Sequence, residues 1–233
     1  LEVNNLKQNT SILSYLSRFI SYIDTFYCKA YNASKYNYCK PKIEDNNNSK
    51  SYIKFEKLRH ILIEQLNNKE LYVTNDLSIA NSKSKMDGVL LYGTNAVGKT
   101  SFIKSVGISL ILAQSGNYVP CSNFIYYPYN YLFTRILGND NLFKGLSTFA
   151  VEMCELRTIL KNATPNSIIL GDELCSGTES TSALSIFVSS LEKLHSINCT
   201  FLFATHFHEI LDYDEIKELK RLKTFHMTVV FDK

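Results

Sequence analysis

The run Gly93-Thr94-Asn95-Ala96-Val97-Gly98-Lys99-Thr100 constrains this chain more than any other stretch. It fits G-x-x-x-x-G-K-[ST] without a gap. The apolar segment Gly88-Val89-Leu90-Leu91-Tyr92 precedes it and reads as a buried parallel strand. Thr100 to Ala113 follows and reads as a helix. That order matters because Gly93 and Gly98 let the backbone bend until successive N–H groups converge on an anion. The helix then directs its positive end at the same point. Lys99 suits the charge of β- and γ-phosphates, and the Thr100 hydroxyl suits Mg²⁺. Thr94, Asn95, Ala96, Val97 and Ser101 complete the candidate contacts of the loop. A chance glycine-rich turn would not bring strand, lysine, hydroxyl and helix together.

A second apolar strand, Ser167-Ile168-Ile169-Leu170, ends in Gly171-Asp172-Glu173. Asp172 is placed to bind Mg²⁺ through water. Glu173 is the natural general base, because a water nucleophile needs a carboxylate beside the γ-phosphate. An isolated Asp-Glu would more often be an exposed acidic turn. Downstream of a phosphate loop the catalytic reading is preferred, and paired acids argue against a GTPase of the Ras type. The expected ligands are ATP and Mg²⁺. A third strand, Thr200 to Ala204, leads into Thr205-His206-Phe207-His208. His206 sits where a polar side chain can sense the γ-phosphate. No acid–cysteine cluster accompanies His206 and His208, so a structural or surface role is expected for His208. His195 and His226 have no motif around them.

Strands alternating with helices argue for an α/β sheet. Ser180 to His195 reads as a helix, Leu71 to Thr74 as a strand, and Thr224 to Phe231 as a further strand at an edge. Ile53 to Ile63 is short and mixed, and Asn81 to Lys85 is a polar turn. At the N-terminus, Leu6, Leu13, Leu16, Ile20, Ile23 and Tyr27 recur at helical spacing, so a helix is expected to about Tyr31. Asn32 to Lys50 breaks the period and ends in a polar run that reads as an exposed loop. The expected division is a helical segment and loop over 1–50 and an α/β domain over 51–233.

The bulk properties add limits. Of 233 residues, 45% are hydrophobic and 20% charged, as in ordinary soluble globular proteins. A net charge of +3 is no strong attractor for polyanions, so most of any nucleic-acid surface would lie elsewhere. Six scattered cysteines without a C-x-x-C pair read as reduced thiols of an intracellular protein in cytoplasm, nucleus or organelle. No signal peptide or membrane-length apolar run is visible. Leu1 at the first position suggests a fragment.

Taken in order, these pieces resemble the ATPase domain of the MutS family of DNA mismatch-repair proteins. Gly93-Thr94-Asn95 with Gly98-Lys99 resembles that family's G-P-N-M-G-G-K-S. Phe133-Thr134-Arg135-Ile136 with Asp140, Gly145-Leu146-Ser147-Thr148-Phe149 and Val151-Glu152-Met153 resemble its F-T-R-I-G…D…S-T-F…E-M run. Asp172-Glu173-Leu174 with Gly177-Thr178 resembles D-E-I-G-R-G-T, and Phe203-Ala204-Thr205-His206-Phe207 resembles F-A-T-H-Y. Upstream, Asn37 to Pro41, Arg59-His60 and Tyr72 to Asp76 resemble N-Y-x-R-P, R-H-P and F-V-x-N-D. His226-Met227 is similar to a late strand motif.

The resemblance implies an α/β P-loop NTPase of ABC-ATPase-like type, with a mixed sheet flanked by helices and a preceding helical segment from a lever. It implies a dimer with a second MutS-like subunit, homo- or heterodimeric, and nucleotide between the subunits. Ser147 and Thr148 would reach the partner's γ-phosphate. Gly177 to Ser182 would cross the interface. Tyr72 would stack on adenine, and Asn95 would position the γ-phosphate or the attacking water. DNA would be held mainly by domains outside this chain, and the dimer helices would follow Lys233. The departures are Thr94 for Pro, Ala96 for Met, Val97 for Gly, and Cys175-Ser176 for Gly-Arg. If position 97 requires a positive φ, a β-branched residue there is strained and turnover is slow. The competing expectations are an ATP-binding architectural or recombination-type clamp with little hydrolysis, and an ABC- or SMC-like ATPase. The latter calls for L-S-G-G-Q where this chain has Gly145 to Phe149.

Overall fold

In a computed structural model, residues 2–44, 50–66, 72–80, 85–94, 96–136, 148–174 and 180–228 are described. The chain runs through helix α1 (Glu2–Tyr36), strands β1 (Lys42–Ile43) and β2 (Tyr52–Leu58), the short helix α2 (Ile63–Leu66), and strands β3 (Asn75–Ile79) and β4 (Gly88–Tyr92). Helix α3 (Lys99–Gln114), strands β5 (Asn123–Tyr127) and β6 (Tyr131–Arg135), helix α4 (Thr148–Asn162) and strand β7 (Ser167–Asp172) follow. Helix α5 (Ser180–Ile197), strand β8 (Thr200–Thr205), a 3-10 turn (His208–Asp212), helix α6 (Asp214–Glu218) and strand β9 (Leu222–His226) complete it.

Two sheets form, where the sequence leads one to expect a single mixed one. The larger has the order β6-β7-β8-β4-β9, and every pairing in it is parallel. Its central strands are continuous apolar runs because both faces are covered. Every residue of β7 and β8 is buried. The smaller sheet has the order β1-β5-β2-β3 and mixes one parallel with two antiparallel pairings. Its strands alternate, placing Ile53, Phe55, Phe124 and Tyr126 inward.

These patterns build a layered core. Phe55 and Phe124 of the smaller sheet, Phe102, Ile103, Val106 and Leu110 of α3, and Leu170 and Leu202 of the parallel sheet form one apolar cluster. On the opposite face, Leu156 and Ile159 of α4 and Phe187, Leu191 and Leu194 of α5 pack against Phe201 and Phe203. Glycine is needed where those aromatics lie flat on the sheet. A Cβ on Gly171 would fall 2.2 Å from the Phe203 ring, and one on Gly88 would fall 2.2 Å from Phe201.

Several expectations shift. Helix α1 continues to Tyr36 rather than ending near Tyr31. It stops where Asn37 takes φ 55°, a left-handed cap that asparagine tolerates. Arg59 Nη2 then donates to the freed carbonyls of Tyr36 and Asn37 at 3.1 and 2.8 Å. Within this chain, Leu13, Leu16, Ile20, Ile23 and Tyr27 of α1 are exposed. Tyr72 to Thr74 is not a strand; the strand starts at Asn75, and Leu71 lies outside the described residues. Lys50 is not a loop cation but pairs with buried Asp87 at 2.7 Å. The edge strand spans Leu222–His226, two residues before its expected start, and residues 229–231 lie outside the description. Strands β5 and β6 and helix α4 were not expected as elements. Among the described residues, no helix is long and apolar enough to cross a membrane.

Candidate active site

Register alone brings three strand ends to one level. Asp172 of β7 lies opposite Ala204 of β8, and Thr205 of β8 lies opposite Tyr92 of β4. The next residues along the three chains are Glu173, His206 and Gly93, so all three leave the carboxyl edge of the sheet together. Open α/β sheets bind ligands at that edge.

From β4 the chain turns through the glycine-bounded loop into α3. The backbone passes under Met227, whose N–H donates to Tyr92 O at 2.9 Å. A Cβ on Gly93 would stand 2.4 Å from the Met227 carbonyl oxygen, so only glycine fits. Gly98 caps α3 with φ 98°, a region that disfavours L side chains. Lys99 is 5% exposed, and its ammonium donates to the carbonyls of Gly93 and Thr94 at 2.7 and 2.8 Å. Burial pushes the Lys99 ammonium below the ordinary lysine value, while the Glu173 and Asp172 carboxylates oppose that fall. Its Nζ also faces His206 Nδ1 at 3.5 Å.

The acids occupy different environments. Asp172 is buried, and its Oδ2 accepts the Thr100 hydroxyl at 2.5 Å. Among the described residues, its Oδ1 is buried without a hydrogen-bond partner. Glu173 leaves the strand with φ 53°, a conformation rare for a non-glycine residue. Its N–H donates to Ala204 O at 3.0 Å, which fixes that turn. Its Oε1 pairs with His206 Nε2, and both side chains are about one-third exposed. Such strain at the end of a core strand is characteristic of functional positions.

These groups line a cavity of about 350 Å³ bounded by Ala96, Val97, Gly98, Lys99, Thr100, Ser101, Glu173 and His206. The loop, the lysine, the hydroxyl, both acids and the histidine expected from the sequence therefore converge. Val97 is not strained: the positive φ values fall on Ala96, at 61°, and on Gly98. Slow turnover cannot be attributed to backbone strain at position 97. Tyr72 is not part of the cavity lining. It is half-buried, and burial together with nearby Glu64 raises its phenol above the ordinary tyrosine value. His208 packs edge-on against the Tyr92 ring at 5.7 Å, and His226 lies 5.0 Å from the same ring. Asn95, Ser147 and Gly177 lie outside the described residues; Thr148 begins α4. The Glu173–His206 contact carries no sequence signal, since it depends on register between two strands; the hold of Lys99 on its own loop is local but depends on the folded path of that loop.

The donor set suits a magnesium ion. Magnesium takes oxygen ligands, keeps several waters, and needs few protein groups. Thr100 Oγ1 at the cavity and the buried Asp172 carboxylate hydrogen-bonded to it supply hard oxygens. Among the described residues no cluster of three or more His, Cys, Asp or Glu forms a protein-only cage.

Comparison with known proteins agrees with this geometry. The family described as MutS domain V matches residues 89–233. A protein of Acanthamoeba polyphaga mimivirus, named as a MutS homologue in DNA mismatch repair, is 38% identical over 99% of this chain and 23% of its own length. The mitochondrial DNA mismatch repair MutS homologue of Sarcophyton glaucum is 37% identical over 92% of this chain and 21% of its own. The DNA mismatch repair protein MutS of Clostridium botulinum strain Loch Maree is 34% identical over 96% of this chain and 24% of its own. The chain thus spans about a quarter of the length of the curated relatives it matches. It belongs to the MutS family and carries that family's domain V from residue 89 onward.

Proposed function

We propose that this chain is the ATP-binding and hydrolysing module of a MutS-like DNA mismatch repair protein, with a P-loop NTPase site of ABC-ATPase-like type. One observation carries the reading. Lys99, Thr100, Asp172, Glu173 and His206 converge on a glycine-bounded turn at the carboxyl edge of a parallel sheet.

The loop's N–H groups and the start of α3 receive the phosphates. Lys99, released from the carbonyls of Gly93 and Thr94, turns its ammonium to the β- and γ-phosphates. Thr100 and Asp172 hold the magnesium ion, which neutralises phosphate charge when bound. Glu173 accepts a proton from the attacking water. His206 keeps the Glu173 carboxylate at the cavity mouth and faces the γ-phosphate. Asn95 orients that phosphate or the water, and Tyr72 stacks on the adenine.

Residues 1–50 act as the helical lever segment, and 51–233 as the ATPase domain. Ser147 and Thr148 of a second MutS-like subunit complete the site, so hydrolysis at the dimer interface switches the protein on DNA. DNA is gripped mainly by regions beyond this chain, consistent with its small net charge.

Single-turnover hydrolysis by the dimeric full-length protein tests the base assignment. Glu173→Ala is expected to keep ATP binding and lose about 10²- to 10⁴-fold in the chemical step. Equal hydrolysis by variant and parent would refute the role of Glu173.

A further inference from the structure

Cys39 and Cys121 are 82 positions apart, yet their Sγ atoms meet at 3.4 Å. The backbone holds them there. Cys39 N–H donates to Val119 O at 2.9 Å, and Val119 N–H donates to Cys39 O at 3.0 Å. Cys121 N–H donates to the same Val119 carbonyl at 2.9 Å, and Arg59 N–H secures Pro120 O at 2.9 Å. The pair is therefore a fixed feature of the junction between α1 and the entry to β5.

The two thiols are not equivalent. Cys121 is buried and Cys39 is partly exposed. A cavity of about 410 Å³, lined in part by Asn37, Lys57, Arg59 and Thr74, opens onto both. The hydrogen bond between the two thiols, with nearby Arg59 and Lys42, holds Cys39 below the ordinary thiol value against the opposing effect of burial. Cys121 is pushed far up by the same hydrogen bond and by burial. One sulfur is thus suited to attack and the other to follow it.

We propose that Cys39 and Cys121 form a reversible oxidation site that closes to a disulfide on reaction with a low-molecular-weight disulfide. The Cys39 thiolate attacks one sulfur of the small disulfide, forming a mixed disulfide and releasing one small thiolate. Loss of the Cys39 anion removes the interaction that kept Cys121 protonated. Cys121 then attacks Cys39 Sγ, its proton passing to the departing small thiolate. The protein dithiol loses two electrons and two protons, and the small disulfide becomes two thiols. The new bond ties Cys39, three residues beyond the end of α1, to the strand entry at Cys121. It locks the junction that Arg59 holds through the Tyr36 and Asn37 carbonyls. Neither cysteine lines the candidate ATP site, so the proposal stands apart from the nucleotide reading.

The test is treatment of the folded chain with oxidised glutathione, acid quenching, intact mass measurement and non-reducing peptide mapping. The parent should yield a Cys39–Cys121 crosslinked peptide that a reducing agent removes. Exposed Cys28 and Cys154 should carry glutathione adducts and serve as internal controls. Cys121→Ser should trap a lasting glutathione adduct on Cys39, and Cys39→Ser should lose the crosslink and leave Cys121 unmodified. A lasting Cys39 adduct in the parent would overturn the proposal. So would an unreacted Cys39 in a sample where Cys28 and Cys154 are fully modified. The parent result decides the matter even if either variant folds poorly.

Discussion

The Thr100 hydroxyl donates to Asp172 Oδ2 at 2.5 Å, while the other oxygen of Asp172 is buried with no hydrogen-bond partner among the described residues. This bond therefore ties the first turn of α3 to the end of β7 beside the cavity. Thr100→Val would strand the carboxylate entirely. It is expected to destabilise the chain by about 1–3 kcal/mol, the cost of an unsatisfied buried polar group. Urea denaturation measures that cost. In the same variant, nucleotide affinity should lose much of its dependence on magnesium. Unchanged stability and unchanged magnesium dependence would remove Thr100 from the site.

The loop substitutions make a second prediction. Ala96 adopts φ 61° and Val97 does not have a positive φ. Ala96→Gly should stabilise the chain by about 1 kcal/mol, because a left-handed L-residue costs about that much. Val97→Gly should destabilise it by adding backbone freedom to the unfolded state. Paired thermal melts distinguish these signs. Stabilisation by Val97→Gly would restore the idea of strain at position 97.

Packing on the parallel sheet gives a third. A Cβ on Gly171 would meet the Phe203 ring, which is fully buried and packed near Phe187 and Phe201. Gly171→Ala is expected to cost about 1–3 kcal/mol by overpacking. Phe203→Leu should recover part of that loss in the double variant, a coupling that a double-mutant cycle reads directly. Additive losses would show that the two positions do not compete for space.

Much of this was legible in the sequence, for physical reasons that vary by element. β4, β7 and β8 could be read because strands buried on both faces need unbroken apolar runs. The phosphate loop could be read because its glycines, lysine and hydroxyl are adjacent in the chain. β5 was missed although Phe124 and Tyr126 alternate, since a five-residue strand carries a weak signal among neighbouring turns. The strand expected at Leu71 to Thr74 shows the same weakness. The second sheet, the Arg59 cap on α1 and the Cys39–Cys121 contact depend on distant segments meeting, and local pattern is silent about that. Strain was assigned to Val97 by comparison with a family glycine, whereas the positive φ falls one residue earlier, on Ala96.

Two histidines, buried His60 and half-buried His195, give a fourth prediction. Burial pushes His60 below the ordinary imidazole value, and Lys104 adds to the fall. Burial does the same at His195, where Arg221 adds to the fall and Asp87 opposes it. His60 Nδ1 also accepts the Leu62 and Ile63 amides at 3.3 Å each, which requires that nitrogen to be unprotonated. The unfolded chain therefore binds more protons than the folded one below about pH 6.5. Stability from these groups should be complete above that pH and fall as acidification passes through the depressed folded values. Thermal melts between about pH 7 and about pH 5 should show the decline. A His60→Asn, His195→Gln double variant should show a shallower one. An equal slope in the variant would assign the acid sensitivity to other groups.

The central claim is that Lys99 closes a magnesium–ATP site at the carboxyl edge of the parallel sheet. Equilibrium titration of the chain with ATP and magnesium, beside the Lys99→Ala variant, tests it most directly. A buried charge-assisted contact of about 1.5–3 kcal/mol predicts that the variant binds at least about tenfold more weakly. Its thermal melt should confirm that it remains folded. Equal affinity in parent and folded variant would contradict the account.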